Sequence, residues 1–250
     1  MSTKPQRRPL LVPVLVSAAA IALIVLVLAL RNGEDEPPAA LEEGAATSDP
    51  ADGSGEGPTA VENPDEPDLT VIEQRDPDDP LAAGPADAPV GLVVFSDYQC
   101  PFCATWSEET LPILMEHAQA GDLRIEWRDV NVFGPDSERA SQAAYAASQQ
   151  GEFWAYHDEL FAGGETRSVA GLSRESLVEL AGELGLDTEQ FTTDLDAAET
   201  AETVQANAEL GYGIGVYSTP AFLLDGEPIL GAQPTGVFVT AYEQALAEAD

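Results

Sequence analysis

The stretch Phe95-Ser96-Asp97-Tyr98-Gln99-Cys100-Pro101-Phe102-Cys103 decides how the rest of this chain is interpreted. It ends an apolar run at residues 90–95, which predicts a buried strand, and it leads into residues 104–120, which have the pattern of a helix. Cys100 and Cys103 are the only cysteines in the sequence. A Cys-x-x-Cys pair between a strand and a helix is typical of a redox-active dithiol.

The position at a helix start favours Cys100 as the nucleophile. A thiolate there faces unpaired backbone N–H groups and the positive end of the helix dipole, which lower its pKa from about 8.5. Pro101 suits a first helical turn because it has no N–H group to leave unsatisfied. The alternatives are an inert disulfide and half of a zinc site, but zinc needs about four ligands and only His117 and His157 remain as soft donors. We therefore expect no metal and no cofactor.

The charge of the chain limits its partners. The 250 residues carry 45 acidic and 10 basic side chains, a formal net charge of −35. Because such a surface repels phosphate, we expect no nucleic-acid partner and no attraction to anionic lipid headgroups. The sequence also lacks G-x-S-x-G, P-loop and H-E-x-x-H motifs, so hydrolysis by a serine or a dedicated metal has no support.

The N-terminal region predicts a membrane anchor. Residues 1–9 are polar and basic, and residues 10–30 are uncharged and mostly aliphatic. At about 1.5 Å per residue this segment spans a hydrocarbon core of about 30 Å. It is longer than the apolar region of a signal peptide and is followed by no good cleavage site, although a cleaved signal remains the alternative. Basic residues before the span place the N-terminus in the cytoplasm and the body of a single-pass protein outside the cell membrane.

An acidic linker is predicted next, at residues 31–68. This segment is rich in Pro, Gly, Ala, Asp and Glu and has no apolar periodicity. Such a composition cannot bury enough apolar surface to fold, and its charge keeps it extended. We therefore expect a disordered tether between the membrane and a domain at residues 69–250.

Within that domain, periodicity and turn signals predict the elements. Residues 211–215 resemble a dinucleotide fingerprint but follow a helix, so we interpret them as a helix end. His157 lies in an aromatic helical stripe and is expected to be a surface or core residue rather than a catalytic one. The predicted strands are residues 69–73, 90–96, 123–133, 221–224 and 228–230, with a turn-rich approach at 82–89, and the predicted helices are 104–120, 137–150, 152–161, one opened by Ser173, one opened by Asp187 and continuing to 210, and one at about 235–248.

This order predicts an α/β, thioredoxin-like fold with an inserted helical subdomain at about residues 135–212. The sequence also resembles a known family at two sites, residues 95–103 and the segment Ser218-Thr219-Pro220-Ala221-Phe222. Both are similar to the DsbA-like thiol–disulfide oxidoreductases, over roughly residues 70–250. The helical block between the two motifs strengthens the resemblance.

The resemblance implies four site residues. Cys100 corresponds to the exposed attacking thiol and Cys103 to the buried resolving thiol. Pro220 corresponds to a cis proline beside the disulfide, with Thr219 before it, whereas the chain alone would suggest a trans proline at the start of a strand. A kink at this point leaves backbone groups free to pair with an extended substrate.

Two departures from the family pattern affect the chemistry. Family members often have a buried acidic residue six positions before the first cysteine, where this chain has Val94; Asp97 and Glu126 are the candidates to replace it. Phe102 stands where a histidine would stabilise the Cys100 thiolate, so we expect a less oxidising couple than in members with Pro-His.

The resemblance implies an oxidase for exported proteins, reoxidised by a quinone-linked membrane partner. A reductase or isomerase would use the same residues with the opposite electron flow. A non-catalytic binding or scaffold domain is the alternative from another class.

Overall fold

The structure, a computed structural model, describes residues 68–249. The predicted anchor at residues 10–30 and all but the last residue of the predicted linker at 31–68 lie outside this range. Within residues 68–249, no helix is both long enough and apolar enough to cross a membrane.

A mixed β-sheet forms the centre of the described chain. Its order is β1-β3-β2-β4-β5; β2 and β3 are parallel, and every other neighbouring pair is antiparallel. The strands are β1 (Ala82–Ala83), β2 (Val90–Ser96), β3 (Leu123–Asp129), β4 (Ala221–Leu224) and β5 (Glu227–Leu230).

Helices lie before, between and after these strands. Between β3 and β4 the described chain is helical, as predicted for an inserted helical region. The helices are α1 (Pro101–Glu109), α2 (Leu111–Ala120), α3 (Pro135–Ser148), α4 (Phe153–Leu160), α5 (Arg174–Glu183), α6 (Thr188–Leu195), α7 (Ala198–Gly213) and α8 (Thr235–Ala249), with short 3₁₀ helices at Leu69–Ile72, Ala162–Gly164 and Val169–Leu172.

The two faces of the sheet have different partners, because successive side chains of a strand point to opposite faces. On what we call the dithiol face, Val94 of β2 and Trp127 of β3 belong to the same core cluster as both cysteines. On what we call the rear face, Val93 and Phe95 pack in a second, smaller cluster. This division decides which side chains can reach the dithiol.

The first predicted strand, at residues 69–73, is wrong. Leu69–Ile72 is a 3₁₀ helix, because the Asp68 carboxylate caps it by accepting a hydrogen bond from the Thr70 amide at 3.0 Å. The strand that pairs with β3 is instead β1, which lies within the segment predicted to be a turn-rich approach. Two alanines carry little strand pattern, so only the pairing with β3 defines this strand.

Three predicted boundaries also differ from the structure. The helix predicted at 104–120 is two helices that meet at Thr110, since Pro112 has no N–H to donate to the Glu108 carbonyl and its ring clashes with that carbonyl in a continuous helix. The strand predicted at 123–133 ends at Asp129, and Asn131 then has a φ of 53°. The helix predicted from Asp187 to 210 is divided into α6 and α7 around Asp196, whose carboxylate binds Arg174 of α5.

Local capping predictions are confirmed. The Ser173 hydroxyl accepts from the Ser176 amide at the start of α5, and Asp187 accepts from two amides at the start of α6. Asp225 and Gly226 both have positive φ, as a tight hairpin turn between β4 and β5 requires.

The glycine-rich segment at residues 211–215 closes α7 against the rear face of the sheet. A Cβ atom on Gly211 would lie 3.1 Å from side-chain atoms of both Phe95 and Val130. Gly211 therefore permits close helix–sheet packing, which agrees with the interpretation of this segment as a helix end rather than a nucleotide site.

Candidate active site

The two cysteines occupy the first turn of α1. Cys100 is the N-cap residue, its sulfur accepts a hydrogen bond from the Cys103 amide at 3.4 Å, and Pro101 begins the helix. Both cysteines are free thiols. The predicted placement of Cys100 at a helix start is confirmed, and its sulfur faces the unpaired amides expected there.

Asp97 fixes the loop that leads from β2 into α1. Its carboxylate accepts from the Gln99 amide at 2.7 Å and from the Phe133 amide at 3.0 Å. Its carbonyl accepts from the Cys100 amide at 2.9 Å. Since both carboxylate oxygens are held by backbone amides, Asp97 has a structural role in positioning Cys100.

The segment before β4 lies against Cys100. The pairing of Phe95 with Ala221 brings this segment beside the end of β2. The Thr219–Pro220 peptide is cis, as the resemblance implies. The Cys100 thiol donates to the Thr219 carbonyl at 3.2 Å. The structure thus brings together all four residues that the resemblance singled out.

The expectation that Cys100 is exposed is wrong for this structure. Only 1% of Cys100 is exposed, the same fraction as for Cys103. The reason is its contact with Thr219, whose carbonyl covers the sulfur. By contrast, Phe102 between the cysteines is 67% exposed and Tyr217 on the neighbouring loop is 73% exposed.

The two thiols differ in acidity. A hydrogen bond from Cys103 lowers the pKa of Cys100 from 9.0 to about 6, with further contributions from Thr219 and from the Cys103 and Phe102 amides, against the opposing effect of burial. Burial raises the pKa of Cys103, and its hydrogen bond to Cys100 raises it further. The dithiol therefore loses its first proton from Cys100.

Glu126 does not lie near the dithiol. It alternates with Ile125 and Trp127 along β3, so its side chain is on the rear face. Its carboxylate accepts from the Gln74 and Arg75 amides and from Arg128. Glu126 is the centre of a buried ionic network and is excluded as an acid beneath the thiols.

A different acid, Asp129, lies on the dithiol face. It is the β3 partner of Ser96 and is 2% exposed. Burial raises its pKa from 3.8 to about 7, partly offset by the hydrogen bond that Trp127 donates to its Oδ1 atom at 3.0 Å. Sequence reasoning missed Asp129, although its two-residue spacing from Trp127 within a predicted strand places it on the apolar face.

The surroundings of the dithiol are aromatic. Trp106 of α1 packs on Phe222 and Phe238, with ring centroids 4.7 and 5.5 Å away. His157 is fully buried, which decides between the surface and core alternatives in favour of the core, and burial lowers its pKa to about 3. Across residues 68–249, no cluster of three or more His, Cys, Asp or Glu side chains is arranged to hold a metal ion.

Comparison with known proteins identifies the family. A family model described as thioredoxin matches residues 76–240. The chain belongs to the thioredoxin family.

Two relatives of this chain differ in kind. It is 29% identical over 148 residues to a probable disulfide bond formation protein D of Bacillus anthracis, covering 57% of this chain and 68% of that protein. It is 34% identical over 181 residues to a Na⁺/H⁺ antiporter NhaA of Herminiimonas arsenicoxydans, covering 70% of this chain. The match spans only 25% of the antiporter's length.

A solved structure supports the DsbA-like form of the thioredoxin fold. A variant of alpha-DsbA1 from Wolbachia pipientis matches with a TM-score of 0.62, covering 71% of this chain and 97% of that chain. At 14% identity this likeness concerns the fold. Together with the family match and the Bacillus relative, it confirms the predicted DsbA-like thioredoxin fold.

Proposed function

We propose that this chain is a membrane-anchored oxidase that forms disulfides in exported proteins through Cys100 and Cys103. The observation that carries the proposal is the opposite effect of the fold on the two thiols: it favours the thiolate of Cys100 and opposes that of Cys103. A stabilised thiolate stabilises the reduced form of a dithiol, which makes the disulfide form more oxidising. The probable disulfide bond formation protein D among its relatives agrees with this direction.

The proposed reaction has two exchange steps. A substrate thiolate attacks the Cys100 sulfur, the Cys100–Cys103 bond breaks, and Cys103 leaves with the electron pair as a thiolate that takes up a proton. A second substrate thiolate then attacks the substrate sulfur of the mixed disulfide. Cys100 leaves as its stabilised thiolate, the substrate is oxidised by two electrons, and the enzyme is left as the dithiol.

Thr219 and Pro220 are proposed to place the substrate. The Thr219 carbonyl lies 3.2 Å from the Cys100 sulfur, so a peptide that reaches this sulfur also reaches the backbone of the same loop. An extended substrate segment can pair there as an added strand.

The location and the redox partner are proposals from the sequence. The uncharged residues 10–30 and the acidic residues 31–68 support a cytoplasmic N-terminus and an extracytoplasmic domain on a tether. Disulfides persist in that compartment. Each turnover leaves a dithiol, so an oxidant is required, and a quinone-linked membrane protein is the proposed one.

The decisive experiment is the reduction potential of the full chain equilibrated against glutathione. A value above about −180 mV supports the oxidase, and a value below about −250 mV supports the reductase or isomerase. Absence of a reversible couple supports a non-catalytic binding domain. Cys103→Ser is expected to trap mixed disulfides through Cys100, and Cys100→Ser is expected to abolish exchange; exchange that persists in Cys100→Ser would refute the mechanism.

A further inference from the structure

A groove lies between α1, α2 and α4, on the side of α1 that faces the helical insertion. It consists of two adjoining cavities of about 230 and 250 Å³, which share Ser107, Pro112 and Asp158 in their walls. Each cavity is smaller than the roughly 300–1,000 Å³ of a typical small-molecule pocket. We name it the α1–α4 groove, and its size matches a single long side chain.

The α1–α4 groove is negatively charged. Glu108 of α1 and Asp158 of α4 line it, and neither forms an ion pair among the described residues. Residues 68–249 contain no lysine, and the six arginines there bond to other groups. Burial raises the pKa of Asp158, and the charges of Glu108 and Glu159 raise it further. A cation in the groove would therefore be stabilised by carboxylates that no cation of the described chain neutralises.

One buried polar group at the groove lacks a partner. Ser107 is only 8% exposed, it lines both cavities, and its hydroxyl has no hydrogen-bond partner in the part of the chain that the structure describes. Buried polar groups are nearly always paired, so this hydroxyl calls for an explanation. A hydroxyl oxygen can accept a hydrogen bond from an N–H group. Ser107 therefore adds an acceptor to the two carboxylates.

The other walls of the groove are apolar and aromatic. Leu111 and Met115 of α2, Trp154 of α4 and the following Phe161 line the cavities. Lysine and arginine have aliphatic stems that pack on apolar surface while the charged end stays near polar groups. A guanidinium also stacks on aromatic faces and presents several N–H donors to carboxylates. An arginine side chain thus matches both the charge and the walls of the groove.

The groove is within reach of a substrate bound at Cys100. Glu108 follows Cys100 by eight residues in α1, which is a distance of about 12 Å along the helix axis. Ala104 lies four residues from each of them, so all three are on one side of the helix. An extended peptide covers about 12 Å in about four residues.

We propose that the α1–α4 groove binds a basic side chain of the substrate protein, an arginine above all, about four residues from the cysteine that reacts with Cys100. This inference rests on the proposed function and adds a substrate class, which is exported proteins with a basic residue at that spacing from the reacting thiol. Glu108 and Asp158 pair with the charge. The Ser107 hydroxyl accepts one N–H group, and the aliphatic stem packs on Trp154.

The test compares two peptides with a single cysteine. One carries arginine four residues before and four residues after the cysteine, and the other carries neutral citrulline at both positions. Each peptide reduces the oxidised full chain, tryptophan fluorescence follows the reaction, and each rate constant is divided by the thiolate fraction of the peptide. The arginine peptide is expected to react about fivefold faster, which corresponds to the upper end for one exposed ion pair. Arginines directly beside the cysteine do not reach the groove and should give a ratio near one.

Variants of the full chain assign the preference to the groove. The double variant Asp158→Asn and Glu108→Gln should bring the arginine-to-citrulline ratio close to one with an unchanged citrulline rate, and Ser107→Ala should lower the ratio in part. Glu179→Gln with Glu183→Gln removes two exposed acids from α5 and is the matched control, with an unchanged ratio. Equal rates for both peptides, or an equal loss in the control, would overturn the inference while exchange continues. No exchange with either peptide would instead refute the proposed function, and the inference with it.

Discussion

Replacement of Thr219 by valine tests the origin of the Cys100 acidity. The Thr219 side chain favours the Cys100 thiolate, and its hydroxyl is buried with no hydrogen-bond partner in the part of the chain that the structure describes. Valine keeps the branched shape and removes the hydroxyl. Because that hydroxyl makes no other bond there, the variant is expected to fold and to lose only its effect on the thiolate.

The size of the effect follows from the energy of one hydrogen bond. A bond to a charged group contributes about 1.5–3 kcal/mol, and one pKa unit corresponds to about 1.4 kcal/mol. Thr219 is one of several contributors, so we take the lower end and expect the pKa of Cys100 to rise from about 6 by about one unit. At pH 7 this weakens thiolate stabilisation by about 1 kcal/mol, which lowers the reduction potential by about 20 mV.

The assay is the thiolate absorbance of the reduced chain at 240 nm, titrated against pH, with the oxidised chain as the blank. Reduction potentials of the same samples are measured against glutathione. Thr219→Ser, which keeps a hydroxyl, is the matched control and should titrate near the parent. An unchanged midpoint in Thr219→Val would refute the assignment of this hydroxyl to the thiolate.

Three other predictions concern the two cysteines and the buried ionic network around Glu126. Phe102→His places a cation beside Cys100, so the reduction potential against glutathione should rise. The free energy of unfolding should change little because the position is 67% exposed. A lower reduction potential would contradict the role given to Phe102. Glu126→Ala removes one of the two carboxylates that pair with Arg128 and leaves Asp79 as the other. It should lower the free energy of unfolding in urea by about 3 kcal/mol, the lower end for a broken buried pair. The Cys100 titration should stay unchanged because Glu126 is on the rear face. Folding lowers the pKa of Cys100 from 9.0 to about 6. Ionisation of Cys100 therefore stabilises the folded, reduced chain, fully so above pH 9. This stabilisation is lost as the pH falls through 6. The difference in unfolding free energy between reduced and oxidised chains should therefore grow from pH 6 to 9, and a flat difference would contradict the assignment.

The features that sequence reasoning predicted correctly depend on neighbours in the chain. The apolar run of β2, the cysteines at the start of α1 and the caps Ser173 and Asp187 all act within a few residues. The turn at residues 225–226 likewise needs only residues that accept positive φ. Even the division between α1 and α2 had a local signal, Pro112, that the periodicity concealed.

The features that sequence reasoning missed depend on partners distant in the chain. β1 exists because it pairs with β3, and the predicted strand at residues 69–73 is a 3₁₀ helix instead. Cys100 is covered because Thr219, more than one hundred residues later, lies against its sulfur. Patterns among neighbouring residues carry no information about such contacts, so sequence reasoning does not find them.

The three acidic residues Asp97, Glu126 and Asp129 show most clearly which features the sequence determined and which only the tertiary structure decided. The sequence by itself determined a thioredoxin-like domain with a dithiol at Cys100 and Cys103, because those signals are local. Only the tertiary structure decided that Asp97 is held by backbone amides, that Glu126 lies on the rear face, and that Asp129 lies on the dithiol face. The physical reason is the register of β2 against β3: a shift of one residue would exchange the two faces and bring Glu126 to the dithiol face in place of Asp129.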